Sequence, residues 1–193
     1  MQLTRKDLFS LEEYAPMRSE YRAKVMAHKK NRAVALGPNA VLYFEDRLTM
    51  QYQIQEMLRI EKIFEAEGIN EELETYNTLI PDGSNWKATF MIEFGDEDER
   101  RKALVAWKGI EKTVWMQVGD HAKVYAISNE DLARENDVKT SAVHFMRFEL
   151  SDEMRASACQ GAKISAGIDL DLYPQSLPLA ENFQASLQAD LNC

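Results

Sequence analysis

The stretch "RAVALGPNAVLYFE", residues 32–45, sets two short β-rich runs around Gly37-Pro38-Asn39. It limits the fold more than any other feature, because strands folded back on a tight turn pair antiparallel. A second pair repeats the signal: "TVWMQV" (113–118) and "AKVYAI" (122–127) flank Gly119-Asp120-His121 and predict another hairpin with His121 at its tip. A sheet built on two hairpins is largely antiparallel or mixed, not doubly wound.

Helical patterns alternate with these strands. Ser10 and Glu13 make a capping-box pattern, and Met17, Tyr21, Val25 and His28 recur at helical spacing, so with Pro16 as the opening residue a helix is expected over 16–30. Asp46 caps a long helix that Gly68 is expected to end, and Asn70 opens a shorter one through "EELETYNTL". In "WKATFMIEF", Trp86, Ala88, Phe90, Ile92 and Phe94 alternate with more polar residues, as on a strand with one buried face. Asp96 and Glu99 start the helix "DEDERRKALVAWKG". "NEDLARENDVK" (129–139) predicts a short helix, "SAVHFMRFEL" a long strand, "SDEMRASACQ" a helix and "AKISAGID" a final strand; Phe183, Leu187 and Leu191 predict a C-terminal helix beyond Pro174 and Pro178. The expected fold is α+β, a single domain over 1–193 with a mixed, largely antiparallel sheet packed against the long central helix. A chain of 193 residues can build such a core without disulfides or a structural metal.

The chain is acidic, with 23 Lys and Arg against 32 Asp and Glu and a net charge of -9, so a nucleic-acid backbone is repelled on average. Its most basic run, "HKKNR" (28–32), reads as a helix C-terminus complemented by cations. Cys159 and Cys193 lie far apart with no C-x-x-C pair and no nearby histidine, and no stretch approaches the roughly 18 consecutive apolar residues of a membrane span. A cytoplasmic protein of a reducing compartment is expected. Phosphate-binding glycine loops, G-x-S-x-G, E-x-x-H and H-E-x-x-H are absent. "IPDGSN" could offer amides to an anion, but reads more simply as a turn leading into a strand.

Candidate site residues come from polar groups on apolar faces. In the long helix Met50, Ile54, Met57, Leu58, Ile60 and Phe64 fall on one broad face, with Glu61 near its middle and Gln53 toward its edge. A carboxylate facing a core must be paired, hydrogen-bonded or protonated, so Glu61 is expected to be buried against a cation. Gln53, Glu56, Arg59 and Glu61 form the densest polar group in the chain, and the plainer reading is that Glu56 and Glu61 each pair with an arginine and orient the helix. On the strand around 141–150, His144 shares a face with Ala142, Met146, Phe148 and Leu150, while Arg147 points the other way. Gln53, Glu56, Arg59, Glu61, His144 and Arg147 are therefore candidate binding residues. Glu61, Glu65, His144 and His28 are the candidate metal ligands, a set of imidazoles and carboxylates that suits iron, manganese or zinc.

"YQIQEMLRIEKIF", "YNTLIPDG" and "KTSAVHFMRFEL" together resemble an uncharacterised bacterial family defined only as a domain of unknown function, over about residues 2–190. The resemblance carries no established activity, cofactor or catalytic residue. Members are often encoded near rubrerythrin-like and iron-sulfur proteins, which implies a redox or iron-related setting and a protein partner from such a system. Two functional expectations follow: an accessory or binding protein in that setting, or a metal-dependent enzyme with a carboxylate/histidine site at Glu61 and His144.

Overall fold

The computed structural model describes residues 2–130 and 139–193. The helix expected over 129–139 falls almost wholly on residues outside that set.

Both hairpins form. β1 (Ala33–Ala35) and β2 (Ala40–Glu45) pair antiparallel across a turn in which Gly37 takes φ +79°; a Cβ there would stand 2.5 Å from the Tyr173 hydroxyl, so the turn needs glycine twice over. β4 (Val114–Val118) and β5 (Val124–Tyr125) form the second. They belong to different sheets, however. β2 pairs with β3 (Asn85–Ile92), β3 with β7 (Val143–Glu149), and β7 with β6 (Ile127–Ser128), which gives the order β1-β2-β3-β7-β6. The second sheet runs β5-β4-β8-β9, with β8 spanning Ile164–Leu170 and β9 Tyr173–Pro178. Among the described residues every strand pairing is antiparallel and there are six α-helices, so the domain is α+β.

The main core lies between the sheets. Leu42, Phe44, Trp86, Phe90 and Phe148 from the first sheet meet Val114, Met116, Ile164 and Ile168 from the second. The alternation in β3 thus identifies its buried face, but the partner expected for that face was the long helix. Ile54 and Leu58 instead share a separate cluster with Leu3, Met50, Leu73 and Ile80, and Phe64 is 68% exposed. A wide flat apolar face buries more area against a second sheet than a single helix stripe can cover.

The helices begin where their caps place them. Ser10 accepts from the Glu13 amide and Glu13 reaches back to the Ser10 amide, so α1 spans Leu11–Lys29 and Pro16 lies inside it rather than opening it. Asp46 accepts from the Thr49 amide at the start of α2 (Arg47–Glu61). That helix stops at Lys62, which takes a left-handed conformation at φ +54°, and Gly68 sits within the next helix, α3 (Ala66–Asn77), instead of terminating α2. α4 (Glu97–Ala106), α5 (Asp152–Cys159) and α6 (Glu181–Gln188) follow the sequence pattern.

Two features depart from expectation more sharply. β9, which carries Pro174 and Pro178, follows the strand expected to be the last; as an edge strand it can lose donors on its open side. Cys159 and Cys193 form a disulfide with Cα atoms 5.5 Å apart, joining the end of α5 to the segment beyond α6. Such bonds belong to oxidising compartments or to redox-responsive sites, so cysteine usage no longer points to a reducing cytoplasm. Among the described residues no helix is long and apolar enough to cross a membrane.

Candidate functional site

Strand periodicity decides which side chains leave the core. With Trp86, Ala88 and Phe90 turned inward, Lys87 and Thr89 project from the opposite face of the first sheet; on β7 the same rule sends Phe145 and Arg147 outward and His144 and Met146 inward. Register then sets Lys87 directly opposite Arg147, with Glu45 of β2 on the other flank of Lys87. The end of α3 comes down over this face, and the Lys87 ammonium donates to the Thr78 carbonyl at 2.6 Å. Between helix and sheet lies a cleft of about 500 Å³ whose walls include Tyr76, Leu79 and Phe145, with Lys87, Arg147 and Glu130 as its charged groups among the described residues.

The electrostatics of the cleft are uneven. Arg147 is gripped by Glu130, through Nε at 2.9 Å and Nη2 at 2.8 Å, and by Glu149 through Nη1. The Glu130 hydrogen bonds raise its already high pKa, and the guanidinium holds Glu130 below the usual carboxylate range. Glu149 is itself held by Ser84 and Asn85 at the start of β3. Burial pushes the Lys87 ammonium below the ordinary lysine range and Arg147 adds to that push, while Asp82, Glu130 and Glu149 oppose it. Among the described residues no carboxylate comes within ion-pairing distance of the Lys87 amine.

Of the residues expected from sequence, Arg147 alone lines this cleft. Glu56 fills the plainer role foreseen for it: Arg18 binds its carboxylate at 2.8 and 2.7 Å, Tyr14 donates at 2.8 Å, and Arg59 approaches at 3.3–3.4 Å, so it ties α1 to α2. Arg18 chiefly, with Tyr14 and Arg59, holds the Glu56 carboxyl down at about 2. Gln53 is half-buried on α2. Glu61 is exposed, as are Ile60 (56%) and Phe64, which overturns its expected burial against a cation. The helix wheel was phased partly by those two residues, one beyond the end of α2, and the stripe actually buried runs through Met50, Ile54 and Leu58.

Nor do the candidate metal ligands converge. Glu65 is an exposed residue at the start of α3, and His28, near the end of α1, pairs with Asp46 at 2.5 Å. His144 is fully buried between the sheets, where Nε2 lies 2.9 Å from Thr140 Oγ1 and 3.0 Å from the Ser141 carbonyl, and Nδ1 lies 3.1 Å from the Asn129 amide nitrogen. Thr140 donates to Glu111 at 3.0 Å, so its oxygen accepts from His144 and the ring hydrogen is assigned to Nε2. Glu61 is not part of this network. No group of three His, Cys, Asp or Glu able to hold a metal occurs among the described residues.

Sequence reasoning also missed polar groups whose partners are remote in the chain. Arg32, in the basic run 28–32, is only 2% exposed; it donates to the Phe44 and Glu45 carbonyls and to Asp190, and so clasps the first hairpin to the C-terminal segment. Burial pushes the Asp190 carboxyl up to about 6 despite that guanidinium. Burial also pushes Asp46 up, but Arg32, the Thr49 amide and His28 outweigh it and leave its carboxyl low. The "IPDGSN" loop is the simple turn: Asp82 accepts from the Ser84 amide at 3.0 Å and hydroxyl at 2.8 Å, and Asn192 packs over Gly83. A second groove, about 680 Å³, runs between the N-terminal segment and α2, lined by Leu8, Phe9, Leu58, Ile63 and Phe64.

The model of the family described as "Protein of unknown function (DUF3501)" matches residues 2–191. The chain belongs to this family. A crystal structure of a novel protein of unknown function from Burkholderia pseudomallei is 51% identical to this DUF3501 member, covers 100% of both chains and superposes with a TM-score of 0.94. No curated protein matches the chain.

Proposed function

We propose that this DUF3501 protein is a binding protein whose ligand occupies the cleft between α3 and the outer face of β3 and β7. The ligand has a flat apolar body, seated against Tyr76, Leu79 and Phe145, and a carboxylate or carbonyl group directed at Lys87. The observation that carries this reading is the cross-strand pairing of Lys87 with Arg147 on the cleft floor. Like charges set directly opposite destabilise a sheet by up to about 1 kcal/mol, and a local rule broken in this way is characteristic of functional positions. The cleft volume of about 500 Å³ also falls in the range of small-molecule sites. A partner from a redox or iron-handling system is supported by the resemblance noted above and by no contact in the fold. The rival metal-dependent enzyme at Glu61 and His144 is disfavoured, since one residue is exposed at a helix end and the other is enclosed between the sheets.

Titration calorimetry with benzoate, a flat body bearing one carboxylate, tests the proposal. Lys87→Met is expected to weaken benzoate binding about tenfold or more, the equivalent of one charge-assisted hydrogen bond. Equal affinity in the variant and the wild type contradicts it.

A further inference from the structure

Lys87 is placed in a way that solvated lysines are not. Its side chain leaves the middle of β3 and reaches the end of α3, and its one hydrogen bond among the described residues runs to a neutral acceptor, the Thr78 carbonyl at 2.6 Å. Among the described residues the charged groups around it come from four places. Arg147 and Glu149 lie on β7, Asp82 in the turn before β3, Glu130 beyond β6 and Glu45 on β2. The two carboxylates on the β7 side are committed to Arg147, Asp82 is committed to the Ser84 amide and hydroxyl, and Glu45 accepts from Thr49 and Thr89. An ammonium half-withdrawn from water beside a guanidinium, with the nearby anions engaged elsewhere, loses its proton more readily than one in solvent.

We propose that Lys87 captures an aldehyde or ketone group of the cleft's ligand as an imine, an inference that rests on the cleft being the binding site. The neutral amine donates one hydrogen to the Thr78 carbonyl, which steers its lone pair toward the carbonyl carbon of the ligand. Nitrogen bonds to that carbon as the carbon-oxygen π bond opens, the oxygen takes the first nitrogen proton and a carbinolamine results. Loss of that oxygen as water, with the second nitrogen proton, leaves the carbon-nitrogen double bond. One amine and one carbonyl give one imine and one water, without an oxidant or reductant, and the capture is reversible. The lowered proton affinity of Lys87 supports this chemistry at neutral pH.

Benzaldehyde with sodium cyanoborohydride at pH 7 tests the inference, since the hydride traps any imine as a benzylamine that peptide mass spectrometry locates. Lys87 is expected to be labelled roughly tenfold or more faster than the exposed Lys24, Lys62 and Lys102, because burial lowers its proton affinity and the cleft holds the aldehyde beside it. Lys87→Arg should keep the fold by circular dichroism and lose that fast label. Labelling of Lys87 no faster than the exposed lysines overturns imine capture. A parallel benzoate titration separates the two levels: benzoate bound in the cleft with no fast Lys87 label leaves the binding reading in place and removes the imine, whereas benzoate binding unaffected by Lys87→Met removes both.

Discussion

Glu56 and Glu61 lie five residues apart on one helix and met opposite fates. Glu56 faces α1, where Arg18 and Tyr14 hold its carboxylate, and Glu61 ends the helix in solvent. Because the Glu56 pKa is depressed on folding, its stabilisation is present above the unfolded value near 4.5 and is lost as pH falls through about 2. Glu56→Gln should therefore cost about 1.5–3 kcal/mol at pH 7, and the gap to wild type should close between pH 5 and pH 2; urea denaturation at several pH values measures it. A gap that stays constant over that range would show that the ion pair is not its source. Gln55 is fully buried beside them, bonded to both the amide and the carbonyl of Phe9, and no pattern could reveal it because its partner is main chain from another segment. In the cleft, the outward direction of Arg147 was legible from alternation, whereas the register that brings Lys87 opposite it was not.

Among the elements, those announced by local chemistry were readable and those decided by their neighbours were not. Capping side chains at Ser10, Asp46, Asp96 and Ser151 mark four helix starts. The break after Glu61 has no glycine to mark it, because Lys62 itself takes the left-handed turn, and β9 hides behind its two prolines. The C-terminal elements are also joined covalently. The Cys159–Cys193 bond spans 34 residues and encloses β8, β9 and α6, so its loss should lower stability by about 2–4 kcal/mol. Cys193→Ser should unfold at lower denaturant than the oxidised protein and be indifferent to added dithiothreitol. An oxidised wild type whose midpoint does not move on reduction would show that the bond contributes nothing.

At the scale of the whole molecule, hairpins and a one-sided strand were enough to predict an α+β domain with a mixed, largely antiparallel sheet, and they could not say that there were two sheets. Alternation marks a buried face without naming what buries it, which is how Phe90 was assigned to α2 when it packs against the second sheet. Phe90 is fully buried there, and Phe90→Ala should cost about 3–5 kcal/mol by thermal or chemical denaturation; an unchanged midpoint would displace the core from the sandwich. With both apolar inner faces spent on each other, the outer face of the first sheet carries a mixture of polar and apolar side chains, and the cleft at Lys87, Phe145 and Arg147 lies there. Mapping benzoate onto the protein by amide chemical-shift perturbation tests that placement most directly. Shifts are expected to concentrate at residues 75–79, 87 and 145–147; shifts concentrated instead along the groove at Leu8, Leu58 and Phe64, or around His144 in the interior, would rule the cleft out as the binding site.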